Sequence, residues 1–237
     1  MTTSRAAVHA AAIVLSGALF AGCAATPSRV DPFEPTNRVM FEVHDAVDQA
    51  VMRPAIQFYV DVVPQPIRQA VSNFFNNIDD MISAANDLLQ GDFDRLGNDM
   101  GRVTLNTGFG LGGLIDLASM IGIERGNQDF GLTFAKWGFD QGPYLFVPLF
   151  GPTTVRDGTG WIVRLFVGPV GFIPDVPLRN SLYGVGAVDL RAQYYEATKL
   201  VDTAALDRYI FIRNAYLQRR RYLQYDGKPP PEPEDQQ

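Results

Sequence analysis

Ile67-Arg68-Gln69-Ala70-Val71-Ser72-Asn73-Phe74-Phe75-Asn76-Asn77-Ile78-Asp79-Asp80-Met81-Ile82-Ser83-Ala84-Ala85-Asn86-Asp87-Leu88-Leu89-Gln90 follows Pro64 and Pro66 and stops at Gly91, the punctuation that opens and closes a helix. At about 100° per residue, Ile67, Ala70, Val71, Phe74, Phe75, Ile78, Met81, Ile82, Ala85, Leu88 and Leu89 share one side. The other side carries Arg68, Gln69, Ser72, Asn73, Asn76, Asp79, Asp80, Ser83, Asn86, Asp87 and Gln90. At about 1.5 Å per residue the helix is about 36 Å long, comparable to a bilayer, but its polar side forbids spanning one. Two readings are open: a helix lying along a surface, or a core helix of a globular domain. In both, the polar side, including Asp79 and Asp80, is expected to be solvated. That side is net acidic, so attraction to anionic lipid would not position it.

Upstream, Asp31-Pro32-Phe33-Glu34-Pro35-Thr36 reads as a turn, with Thr36 or Asn37 able to cap a helix. Val39, Met40, Val43, Val47 and Val51 then recur at helical spacing until Pro54 bends or restarts the helix. Downstream, 92–106 is a further helix, and Gly108, Gly110, Gly112 and Gly113 stand among large apolar residues, where they permit bending or close backbone approach. Leu114 to Ile121 forms a short apolar helix. The whole 108–123 stretch contains Asp116 and falls short of the roughly 20 residues a membrane span needs. Gly142 to Pro152, fenced by prolines, reads as an extended packed loop. Thr153 or Thr154 caps a helix through Leu165. Segments 182–200 and 202–223 are two more helices, and 226–237, rich in proline and acid, is a disordered tail.

At the N-terminus, Leu19-Phe20-Ala21-Gly22-Cys23 follows Arg5 and a short apolar stretch. Small residues before a cysteine mark lipoprotein processing, in which the new terminal thiol carries the lipid. Residues 1–22 are therefore read as leader, Cys23 as the lipidation site and 23–30 as tether. Ala24, where an Asp would favour retention at the inner membrane, points to the outer membrane. With Cys23, the single cysteine, acylated, no thiol is left for a disulfide, a redox couple or a metal. The chain carries a formal charge of −6, made one unit more negative by loss of Arg5, which argues against nucleic acid as a partner.

Chemistry-bearing patterns fail one by one. His44 is the only histidine after the leader and reads as a partly exposed helix residue rather than a catalytic one. Gly108, Gly110 and Gly113 match a dinucleotide fingerprint, but the polar residues before them do not make a buried strand. Asp92, Asp94 and Gly97 imitate a calcium loop that Leu96 and Val103 break. No metal or cofactor is expected. An enzyme would draw on a carboxylate pair such as Asp79 and Asp80. Arg213, inside an apolar arc of the last helix, either pairs with an acid or contacts a lipid headgroup or partner.

Several strings, in order, carry a resemblance: DPFEPTNR (31–38), VPQPIRQAVSNFFNN (63–77), LLQGD (88–92), RVTLNTGFGLGGLIDLA (102–118), FGLTFAKWGFDQGPYLFVPLFGPTTVRDGTG (130–160) and AYLQRRR (215–221). Together they resemble the MlaA (VacJ) family of outer-membrane lipoproteins. Pro35-Thr36 departs from the glycine and aromatic that relatives commonly place there. The resemblance implies an all-α fold over 31–225, a ring of amphipathic helices embedded in the periplasmic-side leaflet with a central channel. It also implies removal of mislocalised phospholipid from the outer leaflet, handed to a soluble periplasmic lipid carrier beside a trimeric porin, with no hydrolysis. On this reading Gly108, Gly110, Gly112 and Gly113 are a candidate hinge at the channel. The competing expectation is a structural, porin-associated envelope lipoprotein that transfers no lipid.

Overall fold

In the computed structural model, residues 31–231 are described. Cys23, the leader, the tether and residues 232–237 lie outside the described residues. The elements are α1 (Glu34–Val47), a π-helical turn (Asp48–Met52), α2 (Arg53–Val62), α3 (Gln65–Gln90), α4 (Phe93–Gly108), α5 (Leu117–Met120) and α6 (Phe130–Lys136). They continue as β1 (Tyr144–Val147), β2 (Gly151–Thr154), α7 (Val155–Val167), a 3-10 turn (Pro169–Phe172), α8 (Val176–Gln193), α9 (Tyr195–Ala204) and α10 (Arg208–Gln224). The fold is all-α with one small hairpin. Among the described residues no helix is long and apolar enough to cross a membrane.

Local chemistry explains most boundaries. Side chains of Asp92, Asp116, Asp129, Thr154, Asp175 and Asp207 each accept a backbone N–H one turn into the following helix, satisfying donors that have no partner in the first turn. Prolines sit in the first turn of α1, α2, α3 and α8. Gly91, at φ +72°, ends α3 in the left-handed conformation.

Three expectations need correction, and one segment left unassigned holds a helix. Neither Thr36 nor Asn37 caps α1, which begins at Glu34 without a side-chain cap. Asn37 is buried instead, because its amide can both give and take. It donates to Asp31 Oδ1 at 2.9 Å and the Tyr144 carbonyl at 3.0 Å, and accepts the Phe146 N–H at 2.9 Å. The expected loop at 142–152 is an antiparallel hairpin pairing Tyr144 with Thr154 and Val147 with Gly151. A two-stranded ribbon has open edges, so Pro152 blocks no essential ladder bond. The segment 130–139 holds a helix, α6, packed on α7 where glycine meets glycine: a Cβ on Gly160 would lie 2.4 Å from the Gly131 nitrogen. Finally, 182–223 forms three helices broken at Tyr194 and Ala205 rather than two.

The packing order closes on itself. α2 packs on α8, α8 on α3, α3 on α6, α6 on α10, α10 on β2 and β1 on α1, which runs through the π-helical turn back into α2. The apolar core along this circuit is small: buried Tyr144, Phe146 and Tyr209 with Met40 and Phe41 against them. Beyond the last helix, the segment expected to be disordered starts as a turn, with Gly227 N–H bonded to the Tyr222 carbonyl and Asp226 paired to Arg95.

Candidate functional site

Four helices turn polar residues inward and apolar ones outward. On α3, Asn77, Asp80, Ser83, Asn86 and Asp87 are buried along with Ile82 and Ala84, while Ile67, Leu88 and Leu89 are exposed. α1 buries Asn37 and exposes Val39 and Val43. α4 buries Asp99, Arg102 and Asn106 and exposes Phe93 and Met100. α7 buries Arg156 and Asp157 and leaves Phe166 76% exposed. In water such a surface would be an aggregation hazard; against hydrocarbon it is the favourable one. The expectation that Asp79 and Asp80 form a solvated face is therefore overturned for Asp80, which is 0% exposed. Periodicity separates a polar stripe from an apolar one. Which of the two meets the surroundings depends on the solvent.

A polar interior is stable only when its charges are paired and hydrogen-bonded. Arg102 donates to Asp80 at 2.9 Å, to Ser119 Oγ at 3.1 Å and to both Asp116 oxygens at 3.1 Å. Arg125 reaches the other Asp80 oxygen at 3.3 Å. Burial opposes ionisation of Asp116, but hydrogen bonds from Ser119, Asn106 and Arg102 prevail and pull its carboxyl down to about 2. These contacts tie α3, α4 and the start of α5 together.

A second knot joins α6, α7 and α10. Arg220 binds Asp129 and Asp157, and the Tyr216 hydroxyl donates to Asp157 at 2.7 Å. Burial pushes the Asp157 carboxyl up; Arg220, helped by Tyr216, reverses that and holds it below the usual range. A third knot pairs Asp48, in the π-helical turn, with Arg53 at 3.0 Å and Arg191 of α8 at 2.8 Å. At Asp189 of α8 the hydroxyls of Tyr59 and Ser72 and the amide of Gln193 converge. Burial and the Asp189 charge push the Tyr59 hydroxyl up to about 12.

Arg213 binds Asp31 at 3.3 Å and Glu34 at 3.2 Å. Of the roles open in the sequence, the ion pair is the one seen. His44 is half-buried, its Nδ1 accepting the Leu149 N–H at 3.1 Å. It belongs to the hairpin tip.

The glycines of the candidate hinge differ among themselves. A Cβ on Gly110 would lie 2.2 Å from the Ile115 carbonyl oxygen and one on Gly113 2.7 Å from Asn77 Nδ2, whereas Gly108 and Gly112 border open space. Leu111, Gly112 and Gly113 all have positive φ. The segment thus turns left-handed while lying tightly against α3, where Asn73 donates to the Leu114 carbonyl at 3.0 Å.

Missed by sequence reasoning was the ionic interior itself. Its spacing was present, since Asp80, Ser83 and Asp87 recur at three- and four-residue steps as the apolar stripe does, although the direction it faces was not.

The comparisons with known proteins agree with this architecture. The sequence profile of the MlaA lipoprotein family matches residues 29–223. The chain is 34% identical to the intermembrane phospholipid transport system lipoprotein MlaA of Haemophilus influenzae, covering 91% of this chain and 90% of that one. With the protein of the same description from Escherichia coli it shares 31% identity, covering 93% and 90%. A solved structure described as the "structural basis for maintenance of bacterial outer membrane lipid asymmetry" superposes with a TM-score of 0.72 at 32% identity, covering 83% of this chain and all of that one. Polar residues turned inward, helices closed in a circuit and a match across nearly the whole described length converge on one assignment: the chain belongs to the MlaA lipoprotein family.

Proposed function

We propose that this protein is an outer-membrane lipoprotein, anchored through Cys23 in the periplasmic-side leaflet, that removes mislocalised phospholipid from the outer leaflet and passes it to a soluble periplasmic carrier. The observation that carries this reading is the inverted polarity of α1, α3, α4 and α7. An apolar exterior suits a bilayer, and a polar interior arranged in a closed circuit suits a headgroup that must leave its leaflet. The helices would then form a ring around a channel that needs to breach one leaflet only.

Transfer requires no bond to break. Asp79 and Asp80, the carboxylates an enzyme would draw on, are bound to Arg164 and to Arg102 with Arg125, which supports a structural role for both. A trimeric porin is the proposed neighbour in the membrane.

The test is chemical labelling of outer-leaflet phospholipid in cells with and without the gene. The expected result is accumulation on deletion, reversed by the wild-type chain and not by Cys23→Ala. Unchanged labelling on deletion would overturn the transport reading, and a purified chain that brings down porin but no phospholipid would favour the purely structural one.

A further inference from the structure

Between α3 and α8 lies an apolar trough of about 180 Å³ lined by residues that include Val71, Phe74, Phe75, Leu114, Leu182 and Val185. Gly186 lets the two helices close at one end, where an added Cβ would stand 3.0 Å from the Phe75 ring. The volume is below the roughly 300–1,000 Å³ of a pocket that encloses a whole small molecule. It suits a length of alkyl chain.

One turn before Val71 on the same helix stands Arg68, half-buried, with its Nε shielded from solvent and without a hydrogen-bond partner. Arg102, Arg191, Arg213 and Arg220 are all ion-paired; Arg68 has no ion pair among the described residues. The acid on the facing helix, Asp189, is already engaged by Tyr59 at 3.1 Å, Ser72 at 2.8 Å and Gln193 at 2.9 Å. The charge of Arg68 acts on the Tyr59 hydroxyl, but it forms no ion pair among the described residues, and a guanidinium one turn along α3 from the trough-lining Val71 complements a molecule that is anionic at one end and alkyl at the other.

We propose that the α3–α8 trough and Arg68 together hold one phospholipid, a stretch of acyl chain against Phe74, Phe75 and Leu182 and the phosphate on the Arg68 guanidinium. This rests on the transport reading and gives that activity a specific lipid-holding station.

The test is mass spectrometry of phospholipid retained by the full chain purified from membranes in mild detergent, with folding checked by thermal unfolding. Arg68→Gln is expected to lower retained phospholipid about ten-fold, the loss of one charge-assisted contact, while Arg68→Lys keeps most of it. Val185→Trp, which fills the trough, is expected to lower it similarly. Val43→Trp, equally bulky on the exposed side of α1, leaves it unchanged.

Wild-type protein that retains phospholipid while Arg68→Gln and Val185→Trp retain as much would overturn this station and leave the transport reading standing. So would wild-type protein retaining only lipopolysaccharide or detergent, if gene deletion still raises outer-leaflet phospholipid. A deletion without that rise would overturn the transport reading itself and the station with it.

Discussion

Arg102 and Asp80 meet at 2.9 Å with both side chains fully removed from solvent. The guanidinium also holds Asp116 and Ser119, so one cation joins three stretches of chain. Replacing it by alanine leaves Asp80 with Arg125 alone and Asp116 with no cation. Arg102→Ala is expected to destabilise the protein by about 3–5 kcal/mol, the cost of breaking a buried pair from one side. Arg102→Lys should recover little, since a point charge cannot reproduce the fork. Thermal unfolding in detergent reads both; a midpoint near wild type for Arg102→Ala would show that the pair contributes little.

Asp87 and Asp99 form the opposite case, two buried carboxyls side by side. Burial first, and then the hydrogen bond and charge of Asp99, push the Asp87 carboxyl up to about 7, against Arg95 at 3.3 Å. Because the folded value lies above the unfolded one, the stabilisation is complete below the ordinary carboxylate range and is lost as pH rises through about 7. Asp99→Asn is expected to be more stable than wild type by about 1–3 kcal/mol in mildly alkaline buffer, where the wild-type pair is left with an excess buried charge, and close to wild type in mildly acidic buffer. Unfolding curves at the two pH values check this.

His44 responds in the other direction. Burial, opposed by Asp48, lowers its ring below the ordinary 6.5, and the neutral Nδ1 accepts the Leu149 N–H at the hairpin tip. Its contribution is fully present above the ordinary value and is lost as pH falls through the lowered one. The protection factor of the Leu149 amide, followed by NMR in micelles and corrected for the pH dependence of intrinsic exchange, should fall on acidification in wild type and be low at every pH in His44→Ala.

The glycine segment separates crowding from conformation. Gly110→Ala is expected to destabilise strongly, since the added carbon would lie 2.2 Å from a backbone oxygen. Gly112 sits at φ +71° with open space around it, so Gly112→Ala should cost about 1–2 kcal/mol and Gly112→Asn less, because asparagine tolerates that region. If bending here matters for transfer, Gly112→Val should weaken the lipid barrier while the protein stays abundant. Detergent resistance equal to wild type in that strain would refute the hinge.

Much of the helix inventory was legible because it is local. Pro66 and Gly91 bracket α3 within two residues of its expected start, and Thr154 caps α7 as its position suggests. The hairpin was not legible, since Tyr144 to Val147 is held extended by Asn37, more than a hundred residues away in sequence. α6 was hidden because it is short and its one glycine, Gly131, suits a loop equally well; the facing Gly160 gives Gly131 a reason to sit in a helix. The direction of the polar stripe was illegible in principle. The same alternation serves a helix in water and one in oil.

A molecule with its oil on the outside and its charges within has no stage of life in which water alone is a suitable host. From the moment its helices form, Phe58, Phe166 and Phe172 must be met by hydrocarbon, surfactant or another chain. An exterior of this kind ties where the chain can rest to what covers it, so the choice of surroundings becomes part of its stability.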